Sequence, residues 1–222
     1  MVSNTERTLE AKIKKSAVPK VYGNIAPKYD TWGKLTESKA RNRCLELANI
    51  QNGESVLEVA VGTGLAFVEI LKVNPEGRNE GIDITEEMLI RARKKAEDLG
   101  IKNYRLSVGD AYDLQYGDNA FDVLINNYMF DLIPENDFST VLGEFNRVLR
   151  SGGRLVLVNM AKGEHWYNLI WEKIYQVNPA LLGGCRSVYL VPYLESLGFR
   201  EIRREFISQL TFPSEVVYAI KP

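Results

Sequence analysis

Five residues in the first half of the chain have types and spacings suited to holding a small molecule: Glu58, Gly62, Gly64, Asp83 and Asp110. The run Glu58-Val59-Ala60-Val61-Gly62-Thr63-Gly64 starts as an apolar stretch with one carboxylate, passes through a glycine turn, and is followed by helical spacing. Glycines at such a turn permit positive φ and let a ligand approach the main chain with no Cβ in the way, while the next helix offers free N–H groups at its start. Roughly 20 residues on, "GIDI" contains Asp83, placed so that its carboxylate can accept hydrogen bonds from both hydroxyls of a ribose. In "VGDA", Asp110 stands where it can receive the exocyclic amine of an adenine, with Ala111 beside it.

No lysine or arginine lies in the turns between these acids, which suits a cofactor without phosphates. A nicotinamide dinucleotide site would want a third glycine at position 67, which is Phe67, and a phosphate-binding P-loop would need Gly-Lys-Ser/Thr after the turn, which is missing. The residues fit an adenosine with a small zwitterionic tail, a description that S-adenosylmethionine meets.

The elements that must position these residues follow from hydrophobic period. "SVLEVA", "NEGIDI", "NYRLSVGD", "FDVLINNYM" and "GRLVLVNM" are short, mainly apolar runs, several bounded by Gly, Asp or Asn, and predict buried strands of a parallel sheet. Helical patterns alternate with them at residues 65–73, 85–99 and about 135–150, the last with Phe138, Val141, Leu142, Phe145, Val148 and Leu149 on one face. Thr85 is the expected N-cap of the middle helix, and Gly100 sits where a C′ residue belongs. A further helix, "KLTESKARNRCLELANI", is expected to close at Gly53; "GEHWYNLIWEKIYQV" and "SVYLVPYLESLGF" read as helical; "REIRREFI" and "SEVVYAIKP" read as a terminal hairpin.

The expected fold is α/β, a Rossmann-like doubly wound seven-stranded sheet with an antiparallel C-terminal hairpin and an N-terminal helical lid. A single domain over 1–222 is expected: 1–52 as N-terminal helices and lid, 53–160 as cofactor-binding core, and 161–222 as acceptor-side helices and hairpin.

Net charge of −1 and a pI near 6.0 leave no global positive field, which argues against nucleic acid as a partner. Cys44 and Cys185 lie far apart without C-x-x-C spacing, which argues against a disulfide framework or a structural zinc and makes a reducing cytoplasm the default. No apolar run approaches the roughly 20 residues that span a bilayer, and the opening lacks the apolar stretch of a secretory signal. Membrane contact is therefore expected to be peripheral at most, through a mildly basic "ERTLEAKIKK", whose acids Glu6 and Glu10 also suit an ordinary solvated face.

From about Val56 to Met160 the motifs together resemble the class I S-adenosylmethionine-dependent methyltransferases. That resemblance implies that Glu58 reaches the cofactor's amino group, that the backbone from Ala60 through Gly62 and Thr63 to Gly64 wraps the methionine tail and ribose, and that Asp83 takes the ribose hydroxyls. Ile84 and Met88 would sandwich the adenine, Asp110 and Ala111 would read its edge, and Asn126 and Asn127 would approach the methionine part. Ala60 stands where the family more often has glycine, at little cost if φ there is negative. Upstream, "YGNIAPKYDTWG" resembles the element that precedes the core in ubiquinone and menaquinone C-methyltransferases and in bacterial phosphatidylethanolamine N-methyltransferases. By that likeness Tyr29 lies over the cofactor in a lid; alternatively Tyr29 and Trp32 anchor an N-terminal helix.

Methyl transfer from a sulfonium already has a good leaving group, so alignment and exclusion of water are the main requirements, and no metal is called for. A proton-bearing acceptor needs a base, for which His165, the only histidine, is the expected catalytic residue unless it is an exposed loop side chain. Tyr128 is a second acid, base or positioning group, and Arg186 either pairs with an acceptor phosphate or carboxylate or serves as a cap or ion pair. The expected function is methyl transfer to a small amphipathic acceptor of quinone, lipid or amine type, by a monomer or homodimer. The alternative is a non-catalytic S-adenosylmethionine-binding or scaffold protein.

Overall fold

The computed structural model describes residues 8–12, 15–18, 20, 22, 30–31 and 33–222, apart from the side chains of residues 15, 180 and 181. Seven runs of extended chain pair into one sheet: β1 (Ser55–Val59), β2 (Arg78–Asp83), β3 (Tyr104–Val108), β4 (Phe121–Asn127), β5 (Leu149–Met160), β6 (Arg200–Gln209) and β7 (Phe212–Ile220). Their order is β3-β2-β1-β4-β5-β7-β6, parallel from β3 to β5, with β7 antiparallel to both its neighbours. The chain runs outward from β1 through β2 to β3, then returns to lay β4 on the other side of β1. Strand order thus reverses between β1 and β4, and an open α/β sheet binds ligands beyond the carboxyl ends at such a point.

Among the described residues, six α-helices lie about the sheet: α1 (Ser38–Ala48), α2 (Phe67–Val73), α3 (Glu86–Asp98), α4 (Phe138–Val148), α5 (Leu169–Val177) and α6 (Val191–Ser196). Side chains alternate across each strand, so Val56, Val123, Ile125, Val156 and Val158 meet α1, α2 and α3 on one face. Leu57, Val59, Leu124, Leu155 and Leu157 meet α4 and α6 on the other. Burial on both faces is why these strands read as nearly continuous apolar runs. In α4, Phe138, Val141, Leu142, Phe145 and Val148 are all buried, as their spacing predicts.

Several boundaries differ from expectation, those of α5 and α6, both shorter, among them, and two have a cause in the backbone. α1 ends at Ala48 rather than near Gly53, because Asn49 takes a left-handed φ of 42° and its N–H closes on Leu45 O. Asparagine tolerates that conformation better than most residues, which leaves Gly53, at φ 101°, to the turn into β1. β5 starts directly after α4, and its pairing with β4 jumps from Phe121↔Leu149 to Val123↔Arg154, the extra residues being taken up around Gly152 at φ 74°.

Before α1, residues 15–17 form a 3₁₀ turn, and residues 8–9 run beside the 187–189 segment through Leu9 N–H to Ser187 O and Tyr189 N–H to Thr8 Oγ1. Among the described residues, no helix is long and apolar enough to cross a membrane.

Candidate active site at the sheet switch point

Asp83, at the end of β2, organises the turn after β1. One carboxylate oxygen accepts the Gly62 N–H at 2.8 Å and the other accepts the Thr85 N–H at 2.8 Å. Thr85 does occupy the N-cap position of α3, but its side chain makes no capping bond; its own N–H is the one that Asp83 holds. Burial pushes the Asp83 pKa up, and the N–H groups of Thr85 and Gly62 pull against it. The carboxylate is held in one orientation by these donors, at the wall of a cavity over the turn.

The turn itself is conformationally demanding. Gly62 lies at φ 56° and Gly64 at φ 84°, and a Cβ on Gly64 would come within 2.9 Å of Ala92 Cα and Cβ in α3. Ala60 also takes φ 60°, so the condition under which alanine costs little there is not met, and left-handed backbone costs an ordinary residue about 1–2 kcal/mol. The Thr63 hydroxyl bonds Asp30, and Lys95 ties the turn down through Thr63 O at 2.7 Å and Asp30 at 2.7 Å. Phe67 fills the place of a third glycine, its ring set edge-on to Tyr104. Room for it comes from β2: a Cβ on Gly81 would lie 3.1 Å from Phe67 Cε2 and 2.7 Å from Val61 Cγ2.

A cavity opens over this turn. Asp83, Asp110, Ile84, Met88, Ala111 and Asn127 line it, together with Ala60 and Gly62. Asp110 keeps its own loop in shape by accepting the Tyr112 N–H at 3.1 Å. An adjoining hollow shares Ala60, Gly62, Asn127 and Tyr128 and adds Glu37, Arg41, Glu58 and Thr63.

Glu58 is buried in that hollow, with Asn127 Nδ2 at 3.5 Å from one oxygen. Its second oxygen and Asn127 Oδ1 are buried acceptors without a hydrogen-bond partner. Desolvation raises the Glu58 pKa to about 8 against the pull of Asn127 and Arg41, with Asp83 adding to the rise. Asn126 faces elsewhere: it is fully buried, donates to Val59 O at 2.8 Å, and clamps β4 to β1 without lining the cavity. Neighbouring strand residues point to opposite faces, so only one of the two asparagines reaches the site.

The methyltransferase domain profile matches residues 50–189 of this sequence. A demethylmenaquinone methyltransferase of Listeria welshimeri is 31% identical over 154 residues, 67% of this chain and 64% of the relative. This chain belongs to the class I S-adenosylmethionine-dependent methyltransferases. It spans a little under two thirds of that relative's length. Among solved structures, the (4+2) cyclase SpnF superposes with a TM-score of 0.75 over 98% of this chain and 99% of that one at 18% identity. A Haemonchus contortus phosphoethanolamine N-methyltransferase 2, in complex with phosphomonomethylethanolamine and S-adenosylhomocysteine, gives 0.64 over 82% of this chain and 53% of that one at 16% identity. At such identities the likeness is one of fold.

In this methyltransferase the residues expected on the acceptor side separate. Tyr128 follows β4 at a left-handed φ of 54°, and its ring lines the cavity, but its hydroxyl lies 2.7 Å from Ser214 Oγ in β7. His165 is not brought to the cavity: it is exposed, stacks on Tyr167 with ring centres 5.0 Å apart, and stands edge-on to Phe206. Arg186 does not face an acceptor either, nor does it form a surface ion pair. It is fully buried and donates to the carbonyls of Leu9, Phe130, Asp131 and Ile133 at 2.5 to 3.0 Å, bridging the N-terminal strip to the loop after β4. Tyr29 and Trp32 lie outside the described residues.

Several lining residues escaped the sequence reading. Met129, Leu132, Ile133 and Pro134 come from the loop after β4, and Val18 and Tyr22 from the N-terminal segment. The apolar run "YMFDLIP" directly after a strand that ends at the switch point was the available signal. Glu37 and Arg41, by contrast, look like ordinary residues of a helix and its approach, and no local pattern marks them.

Proposed function

We propose that this methyltransferase binds S-adenosylmethionine over the β1/β4 switch point and moves its methyl group to a ring-bearing, quinone-type amphipathic acceptor. The residues present fit the cofactor. Asp83 has two oriented oxygens for a ribose diol, Asp110 stands beside the apolar Ile84, Met88 and Ala111 as an adenine edge would require, and the unpartnered acceptors of Glu58 and Asn127 suit an ammonium group. When bound, the sulfonium supplies an activated methyl group with a neutral leaving group.

The observation that carries the acceptor class is the lining beyond Asn127. Tyr22, Tyr128, Met129, Leu132, Ile133 and Pro134 supply it, and the charged residues among the described cavity lining are Asp83 and Asp110, both on the adenosine side. A cationic amine would find no carboxylate among these acceptor-side residues, whereas an uncharged ring would bury apolar surface against them. The name of the Listeria relative supports the same choice. The chain's task is then to hold the acceptor carbon in line with the methyl group and keep water out, the S–CH3 bond breaking as the C–CH3 bond forms and the ring C–H proton afterwards leaving to solvent as the ring regains aromaticity. We place this work in the cytoplasm, where the buried, unbridged Cys44 and Cys185 stay reduced.

The test is S-adenosylhomocysteine formation with a short-chain demethylated naphthoquinol, compared with ethanolamine-type amines. Turnover of the quinol alone is expected. Cofactor binding by calorimetry without turnover of any ring acceptor would favour a non-catalytic binding protein, and turnover of the amines instead would reassign the acceptor.

A further inference from the structure

α5 is apolar on two sides. Trp171 and Tyr175 turn inward: Trp171 Nε1 donates to Thr211 Oγ1 at 3.1 Å, its ring stands edge-on to Phe212 at 5.2 Å, and the Tyr175 hydroxyl donates to Glu10 O. The outward side carries Leu169, Ile170, Lys173 and Val177, at the i, i+1, i+4 and i+8 spacing of a helical stripe. Such a helix in a water-soluble protein normally puts polar residues there. Here Trp166, at the start of the same segment, is 85% exposed, Ile170 is 54% and Val177 is 86%.

The surface extends past α5. Asn168 Nδ2 donates to Thr211 O, which fixes α5 against the β6–β7 turn, where Leu210 is 67% exposed. Gln209, the last residue of β6 before that turn, donates to Leu35 O at 2.8 Å, which sets a further exposed leucine alongside. Six of the ten large apolar side chains most exposed among the described residues therefore gather in this one region. Exposed Lys12, Lys34, Lys39 and Lys173 stand on and around it, Lys12 with its ammonium on Gln176 O, against exposed Glu10 and Glu164 and the half-buried Glu172 of α5, a small local excess of cations in a chain of net charge −1.

The region also connects to the site. Tyr128, in the cavity wall, packs on Phe212 with ring centres 6.2 Å apart, and Phe212 packs on Trp171. Two rings separate the acceptor end of the cavity from the exposed stripe.

We propose that the outer face of α5, with Trp166, Leu35 and the Leu210 turn, docks on an anionic lipid bilayer. The apolar stripe enters the headgroup boundary, the lysines meet lipid phosphates, and an amphipathic acceptor dissolved in the bilayer reaches the cavity from the adjoining surface. This rests on the acceptor class proposed above. Tryptophan and lysine are the residues that suit such a boundary, the first for its amphipathic ring and the second for a long stem with a charged end.

The experiment is co-sedimentation with phosphatidylglycerol/phosphatidylcholine vesicles, with phosphatidylcholine vesicles alone as comparison, followed also by tryptophan emission. Binding to the anionic vesicles with a blue-shifted emission is expected, and the double variant Ile170→Glu, Leu210→Glu should bind at least tenfold more weakly. Both positions are exposed, so the variant should keep its fold, its S-adenosylmethionine affinity and its turnover of a short-chain, water-soluble quinol. Wild-type protein that ignores anionic vesicles, or a variant that binds them unchanged, would overturn the proposal. So would a wild-type dimer that the variant converts to monomer, because the stripe would then be covered by a second copy. Vesicle binding without turnover of any quinol would instead remove the acceptor reading and leave the docking surface standing.

Discussion

The Tyr128 hydroxyl meets Ser214 Oγ at 2.7 Å, so the tyrosine that lines the cavity presents its ring there and fastens its polar end to β7. Burial, with Glu37 nearby, pushes the phenol's pKa far up, which suits a hydrogen-bonded anchor and not a proton carrier. Ser214→Ala should leave a buried hydroxyl unpartnered and cost about 1–3 kcal/mol of stability. Adding Tyr128→Phe should recover part of that loss, and the double variant should keep turnover within about tenfold. Urea denaturation and initial rates on all three variants check this; a far larger loss of turnover in Tyr128→Phe alone would give the hydroxyl a chemical role.

Asp83→Ala removes both acceptors proposed for the ribose and both backbone links to Gly62 and Thr85. Cofactor affinity should fall at least tenfold, about 1.4 kcal/mol. Calorimetric titration with S-adenosylhomocysteine measures it, and an unchanged constant would take Asp83 out of the site.

Glu58 ties stability and binding to pH in opposite directions. Desolvation raises its pKa from the ordinary 4.5 to about 8, so the folded state holds a proton that the unfolded state has released over that interval. The stabilisation is complete below about 4.5 and is lost as pH rises through about 8. An ammonium group prefers the carboxylate, so cofactor affinity should rise across the same interval and binding should release protons. Glu58→Gln should flatten the binding trend and reduce the stability slope, the rest of which is left by Asp83, Asp131 and Glu215, whose pKa values burial also raises. Thermal midpoints and calorimetry in buffers of different ionisation enthalpy provide the readings.

His165 and Arg186 should exchange the importance their residue types suggest. Exposed and away from the cavity, His165→Ala is expected to keep turnover within about twofold and stability within ~0.5 kcal/mol. Arg186→Met strands four backbone carbonyls and should cost about 3 kcal/mol or more. Guanidinium denaturation and steady-state rates distinguish the two, and a tenfold rate loss in His165→Ala would bring the histidine back to the chemistry.

Ala60 at φ 60° holds strain that glycine would relieve. After subtracting the extra freedom glycine gains in the unfolded chain, Ala60→Gly should raise stability by about 0.5–1 kcal/mol. The denaturation midpoint should rise with the slope unchanged.

What could be read from the sequence alone was set by near neighbours along the chain. Val56 and Leu57 alternate faces because strand side chains must, the Phe138-to-Val148 stripe follows the helical repeat, and Gly62, Gly64 and Asp83 are legible because a strand-to-helix turn and the next strand end lie at characteristic separations. The fold class and the proposed cofactor residues rest on such local rules.

Side-chain partners distant in sequence were decided only by tertiary packing. Arg186 meets carbonyls more than fifty positions away, Tyr128 finds Ser214 across the sheet, and Asn126 and Asn127 part because one faces β1 and the other the cavity. The same holds for α5, whose two apolar sides are indistinguishable by period: contact with Thr211 and Phe212 turned one inward and left the other at the surface. Residue type and spacing state what a group can do, whereas its partners depend on which segments are brought into contact, and that is a property of the whole packed chain.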